Sequence, residues 1–184
     1  MKPLTIGALA VLAIAAPLSG QAPAAAPTGV RGEILAQFDD AATKLLQLAE
    51  AIPQEKYAWR PAAGVRSVSE VLMHVTGGNP FILGMAGVPA LAGLPPDGER
   101  TVTDKAQVIE QLRRSSEYVR AAIRGMPDAD LDEPATLFGR PSTKRNVLFL
   151  TATHAHEHLG QLIAYARTNG VVPPWSRAGG GGGQ

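Results

Sequence analysis

The sequence predicts an all-α protein: a four-helix bundle with long connections between helices 1 and 2 and between helices 2 and 3. Three observations support this prediction. Apolar residues recur at steps of three and four in four separate stretches, which is the period of a helix with one buried face. Residues typical of helix starts and stops bound these stretches. No convincing alternation of apolar and polar residues indicates a strand between them, and amphipathic helices without strands pack as a bundle.

The first two predicted helices have recognisable ends. The first carries the apolar positions Ile34, Phe38, Ala41, Leu45, Leu48 and Ile52. Pro53 stops it, because proline cannot continue a helix. The second begins at Ser67, which has capping-box spacing with Glu70. It continues towards Leu83, and Pro80 is expected to kink or interrupt it.

The third and fourth predicted helices complete the bundle. Thr103-Asp104 is a suitable N-cap pair for the third helix, which ends near Gly125 to Pro127. One face of this helix carries Val108, Leu112, Val119, Ile123 and Met126. The fourth helix starts around Ser142-Thr143 and runs to Asn169-Gly170, and the following Pro173-Pro174 is a further stop signal.

The long connections are candidates for functional residues. Connections of about 15 residues or more with little structure of their own often line a site. Trp59, Arg60 and Arg66 lie just before the second helix. They either line the mouth of a pocket or simply pack within the loop, and loop packing is the favoured interpretation.

The 184-residue chain is expected to be exported. Leu4 to Leu18 is an apolar run with the length of a signal-peptide core, and it is short for a membrane span. We therefore expect a signal peptide over residues 1–24, a linker over 25–32, the bundle over 33–177 and a disordered glycine-rich tail over 178–184. The product without its signal is expected to be periplasmic or secreted, with no membrane association.

Composition restricts the partners and the chemistry. The net charge is +1 at pH 7 and the basic residues are scattered, which argues against a nucleic-acid partner. The chain has no cysteine, so it has neither a disulfide nor a protein thiolate to serve as nucleophile or metal ligand. A small-molecule substrate of unknown identity is expected, and a homodimer is left open.

The histidines form the most informative pattern. His154 and His158 are four residues apart, so they share one face of a helix. Their face also carries Val147, Thr151, Leu162 and Tyr165, which points both rings into the bundle. Leaving two such rings buried and unpaired would cost about 1 to 3 kcal/mol each. His74, on the apolar face of the second helix, supplies a third inward imidazole.

Three inward imidazoles predict a divalent-metal site with His74, His154 and His158 as ligands. Nitrogen donors without thiolate suit Zn, Ni, Fe or Cu and do not select among them. The alternative is a set of core histidines that are satisfied without metal. His156 is rotated by roughly 200° from its two neighbours, and we expect it and Glu157 at the surface. The order HAHEH also differs from the HExxH pattern.

Gln161 lies one turn from His158 and borders the same face. It either orients a ligand or bound water from behind the site, or packs as a polar residue at a helix interface beside Gly160. Both interpretations remain open from the sequence.

Two segments resemble a known family. They are EKYAWRPAAGVRSVSEVLMHVTGGN, from Glu55 to Asn79, and HAHEHLGQLIAYARTNGVVPPW, from His154 to Trp175. They are similar to the DinB-like, damage-inducible/YfiT-type family of metal-binding four-helix bundles. In that family a histidine on helix 2 and a pair on helix 4, followed by Gly-Gln, bind a divalent metal, so the resemblance implies the same three ligands here. Leu159 departs from the family, which frequently has a basic residue there.

The resemblance implies the fold and the ligands more firmly than the reaction. Members of the family include thiol-dependent transferases and isomerases, and others have been suggested to be metal-dependent hydrolases. Small thiols are kept reduced in the cytosol, so an exported relative would meet few of them, and a metal-dependent hydrolase that activates water is our first expectation. A thiol-dependent transferase and a non-enzymatic metal-binding or stress-linked protein are the alternatives. Haem is not favoured, because no Cys-x-x-Cys-His signal occurs, and the sequence identifies no catalytic base.

Overall fold

The computed structural model describes residues 26–177 and confirms the predicted all-α bundle. Its four long helices are α1 (Gly29–Ala51), α2 (Val68–Gly84), α4 (Lys105–Gly125) and α5 (Lys144–Thr168), with a short helix, α3 (Gly98–Thr101), between α2 and α4. Helix α1 packs against α4 and α5, and α2 packs against the same two helices. The predicted signal peptide (1–24) and glycine-rich tail (178–184) lie outside the described residues. Within residues 26–177, no helix has both the length and the apolar character needed to cross a membrane.

The predicted apolar faces meet in one continuous core. Its largest fully buried side chains include Phe38, Leu45, Tyr57, Leu72, Leu83, Leu112, Ile123, Leu148 and Leu162. Each such side chain contributes about 1.5 to 3 kcal/mol relative to exposure. Packing of these four faces is therefore the main reason that α2 and α5 keep a fixed position relative to each other.

Side chains fix the starts of three helices where the sequence predicts them. The capping box is present at Ser67, whose hydroxyl accepts from the Glu70 backbone while the Glu70 carboxylate accepts from the Ser67 N–H. Asp104 caps α4 and Thr143 caps α5. Helix α1 begins at Gly29, inside the linker predicted over residues 25–32. Arg31 stabilises this first turn of α1, because its side chain donates to the main-chain carbonyls of Arg124 and Met126 at the end of α4.

Helix α2 continues through Pro80, where a kink or an interruption was expected. Proline cannot donate to the carbonyl four residues earlier, which is that of Thr76. The Ser115 hydroxyl of α4 donates to this carbonyl at 2.7 Å, and it accepts from the Asn79 side chain at 2.9 Å. A neighbouring helix thus supplies the missing hydrogen bond, and α2 stays continuous beside the histidine cluster.

A short β-hairpin, β1 (Pro134–Leu137) paired antiparallel with β2 (Arg140–Thr143), corrects the expectation that no strand is present. Phe138 and Gly139 form its two-residue turn, and both have positive φ, 49° and 79°. The hairpin escaped prediction because each strand has only four residues, too few for a convincing alternation, and because phenylalanine replaces the Asn or Asp usual in such turns.

Candidate metal centre

The structure brings the three predicted histidines together from two helices. His74 lies on α2, and His154 and His158 lie on α5. One ring nitrogen from each is within 4.8 Å of the others, and the Nε2 atoms of His74 and His154 are 3.3 Å apart. The ring centroids are 4.6 to 5.2 Å apart. His158 is buried, and the other two rings are partly buried.

Close approach of α2 and α5 at this level depends on Gly78. A Cβ at this position would lie 2.6 Å from Cε1 of His154 and 3.3 Å from its Nδ1. Real Cβ contacts essentially never fall below 3.0 Å. Gly78 therefore leaves the space into which α5 places the His154 ring, one turn along α2 from His74.

Glu99 is the functional residue that sequence reasoning missed. It lies on α3, within the long connection between α2 and α4, and its Oε2 accepts from Nδ1–H of His74 at 2.9 Å. Its other oxygen accepts from Nε of Arg66 at 2.7 Å. Glu99 thus holds His74 with its Nε2 lone pair towards the cluster. The sequence feature that could have indicated Glu99 is its acidic side chain in a long connection that is expected to line a site.

Gln161 performs the corresponding role for His158. Its Oε1 accepts from Nδ1–H of His158 at 2.9 Å, and its Nε2 donates to the Tyr165 hydroxyl at 2.9 Å. The Tyr165 hydroxyl donates to the Arg66 main-chain carbonyl at 3.2 Å. This chain of hydrogen bonds favours the interpretation of Gln161 as an orienting residue behind the site, since it fixes the His158 tautomer with Nε2 unprotonated.

The surroundings of His154 and His158 favour neutral imidazoles. Burial, followed by the charges of His158 and His74, lowers the pKa of His154 from 6.5 to about 4. Burial also lowers the pKa of His158, although its hydrogen bond to Gln161 opposes the effect. Burial alone would raise the pKa of Glu99, but hydrogen bonds from Arg66 and His74 outweigh it and hold this pKa below its ordinary value. A lowered pKa favours the unprotonated ring that a metal ligand must present, so His154 and His158 are suited to bind a cation.

Two observations test whether the residues fit a divalent metal. The Nδ1–H groups of His74 and His158 donate to Glu99 and Gln161, so Nε2 of each of these two neutral rings carries a lone pair and no proton. Nδ1 of His154 is buried and has no hydrogen-bond partner within residues 26–177, so hydrogen bonding alone does not satisfy this ring. The residues fit a metal bound by three imidazole nitrogens, and this donor set suits Zn, Ni or Fe.

The other residues singled out from the sequence are not ligands in this arrangement. His156 lies on the opposite side of α5, where its Nε2–H donates to the Gln37 carbonyl of α1 at 3.0 Å, and Glu157 is exposed. Trp59 packs edge-on against Tyr165, while Arg60 pairs with Glu70 at the start of α2. Arg66, named only as a candidate for a pocket mouth, contacts Glu99 and so belongs to the surroundings of the cluster.

Two cavities lie near these residues. One, of about 420 Å³, adjoins the cluster and is lined by His74, Gly78 and Glu99 among others. A larger one, of about 810 Å³, lies between α1 and α5 and includes His156 in its lining. None of the three clustered histidines lines the larger cavity, whereas His74 lines the smaller one, so the smaller cavity is the one that adjoins the candidate metal site.

Comparison with known proteins agrees with the fold. A DinB-like protein from Bacillus cereus ATCC 10987 has a similar crystal structure, with 20% identity and a TM-score of 0.68 over 77% of this chain and 93% of that one. A DinB-like protein from Bacillus subtilis is 22% identical, with a TM-score of 0.61 over 76% and 93%. No curated protein matches. The family model described as the DinB superfamily matches residues 37–162, and the chain therefore belongs to the DinB superfamily.

Proposed function

We propose that this protein is an exported metal-dependent hydrolase that acts on a small molecule and binds a divalent ion through His74, His154 and His158. The supporting observation is the convergence of three imidazole ring nitrogens, one from each histidine, within 4.8 Å. A divalent ion in this site would act as a Lewis acid and lower the pKa of a water that it binds towards about 7.

The chain itself positions the donors, and it lowers the pKa of two of them, His154 and His158. Glu99 holds His74 in the tautomer with a proton on Nδ1, and Gln161 does the same for His158. Gly78 admits the ring of His154, which partial burial keeps neutral. Three neutral donors leave the full charge on a bound cation, which strengthens its effect on water.

The nucleophile in this proposal comes from outside the chain. Cysteine is absent, and the nearest carboxylate, Glu99, is already occupied by hydrogen bonds from His74 and Arg66. Glu99 is therefore assigned to orientation of His74. Water is the nucleophile available in an exported compartment, whereas an external thiol would be the nucleophile of a transferase.

A substrate screen tests the reaction class. Protein stripped with a chelator and protein reloaded with Zn, Ni or Fe would be assayed on p-nitrophenyl acetate, a p-nitroanilide and p-nitrophenyl phosphate, with and without glutathione. We expect turnover of at least one substrate by a reloaded form without thiol, and its loss in the stripped protein and in His154→Ala. Turnover only with glutathione would replace the hydrolase by a transferase. Bound metal without any turnover would indicate a non-enzymatic metal-binding protein.

Export needs a separate test. Expression of the full chain in a bacterial host, followed by fractionation and N-terminal sequencing, would locate the product and its first residue. We expect a product in the periplasm or medium that begins after Gly20 or Ala24. A full-length product in the cytosol would contradict export and would favour the thiol-dependent alternative.

A further inference from the structure

We infer that the cavity beside the histidine cluster binds a small molecule that carries one metal-binding polar group and one aromatic or bulky apolar group, and that Phe81 and Phe138 hold the apolar group. The inference rests on the proposed function, since it names the substrate class of the same site. Its support comes from the shape, polarity and aromatic residues of the cavity.

The cavity has both polar and apolar lining residues. Its volume of about 420 Å³ lies in the range of small-molecule sites, about 300 to 1,000 Å³. The charged or titratable lining residues are His74, Asp97 and Glu99, while the apolar ones include Met73, Leu94 and Pro95. A ligand with one polar group and one apolar group matches this distribution.

Helix α2 sets the direction in which the ligand extends. Gly78 and Phe81 follow His74 by four and seven residues, so the three share one face of the helix. The ring of His154 lies against Gly78, and Phe81 is the next residue along the cavity wall. A polar group at the histidines therefore places the rest of the ligand against Phe81.

Phe138, at the tip of the hairpin, extends this wall. Its ring centroid lies 6.4 Å from that of Phe81 at an interplanar angle of 36°, within the range of aromatic pairs. The two side chains are 64% and 63% exposed, so burial in the core does not explain them. Two exposed aromatic rings from separate elements beside the cavity form an apolar surface that a ligand can cover.

The backbone of Phe138 gives an independent reason for assigning a role to this ring. Its φ is 49°, a left-handed conformation that is unfavourable for most side chains and that Asn or Asp adopts more readily. The exposed ring recovers little of that cost by packing. Aromatic character at this turn thus disfavours the hairpin itself and suits contact with a ligand.

Two matched chelators test the inference on metal-loaded protein. Benzohydroxamate and acetohydroxamate share one metal-binding group and differ only in a phenyl against a methyl substituent. We expect wild type to bind benzohydroxamate at least tenfold more tightly. Phe81→Ala and Phe138→Asn should each reduce this preference at least threefold while leaving acetohydroxamate affinity unchanged. Equal binding of the two compounds by wild type, or an unchanged preference in both variants, would overturn the inference.

Thermal unfolding and a third probe distinguish loss of the aromatic contact from loss of the fold or of the metal. Phe138→Asn should unfold at or above the wild-type temperature, because Asn suits the turn, so weaker binding there would not reflect unfolding. If the protein does not load metal, the proposed function fails, and benzyl alcohol then tests the cavity by NMR without a metal-binding group. Ring shifts in wild type that are lost in Phe81→Ala would support the aromatic site, and their absence would refute it.

Discussion

Gly78→Ala is the substitution that probes the geometry of the centre most sharply. It adds one methyl group to α2 and removes no ligand and no hydrogen bond. That methyl carbon would lie 2.6 Å from Cε1 of His154, against about 3.5 Å or more for an unstrained contact. Gly77→Ala is the matched control, because a Cβ at the preceding position meets nothing within 4 Å.

The expected effects differ between the two variants. Replacement of a helical glycine by alanine stabilises a helix by about 1 kcal/mol, which corresponds to about 2 to 4 °C in a domain of this size. Gly77→Ala should show this increase. In Gly78→Ala the His154 ring must move by roughly 1 Å, whereas metal–ligand distances tolerate only about 0.2 Å. We expect metal affinity to fall at least about tenfold, the range for disturbed ligand orientation.

Chelator competition measures this difference. Metal dissociation constants of wild type, Gly77→Ala and Gly78→Ala would be determined with Zn and a chromophoric chelator, alongside thermal unfolding of the metal-free forms. Rotation of the His154 ring away from the added methyl group could preserve stability, but it would also remove Nε2 from the cluster, so affinity is the deciding quantity. If Gly78→Ala binds Zn with the same dissociation constant as wild type, the proposed contact between α2 and α5 is refuted.

Three further predictions follow from the contacts around the site. Ser115→Ala leaves the Thr76 carbonyl without a donor and should lower the free energy of unfolding by about 1 to 3 kcal/mol in chemical denaturation. Ser116→Ala is the control and should lower it less, because the Ser116 hydroxyl bonds within its own helix. Equal losses in the two variants would contradict the stabilising role of the hydrogen bond from Ser115 to α2. Glu99→Ala should weaken metal binding about 10- to 100-fold in the same chelator assay, and an unchanged constant would remove its orienting role. Because the pKa of His154 is lowered to about 4 in the folded protein, the unfolded chain binds a proton at a higher pH than the folded chain. The metal-free protein should therefore lose stability as the pH falls from about 6.5 to about 4. In thermal unfolding, His154→Ala should make the unfolding temperature depend less on pH over this range.

The helices could be predicted because their determinants are local. Apolar periodicity located all four, and the Ser67 and Asp104 caps placed two starts at the residues observed. The inward direction of His154 and His158 followed from the apolar residues on their face. His74 meets this pair only because α2 packs against α5. Residue spacing does not specify that packing, and the family resemblance predicted it more firmly.

The remaining features depend on contacts between distant residues. Glu99 reaches His74 only because a loop folds back onto α2, and no local pattern specifies that contact. Continuity of α2 through Pro80 depends on a hydroxyl from α4, so a rule based on proline alone predicts a break. The hairpin turn places Phe138 in a left-handed conformation that phenylalanine disfavours. A search for the usual turn dipeptides, such as Asn-Gly, therefore does not find this turn.

Metal content is the most direct test of the central claim that one cation is shared by imidazoles from α2 and α5. Protein purified without a histidine tag would be analysed by elemental mass spectrometry as wild type, His74→Ala, His154→Ala, His158→Ala and His156→Ala. We predict close to one divalent ion per chain in wild type and in His156→Ala, and its loss in each of the other three variants. Equal metal content in all five proteins would contradict the claim.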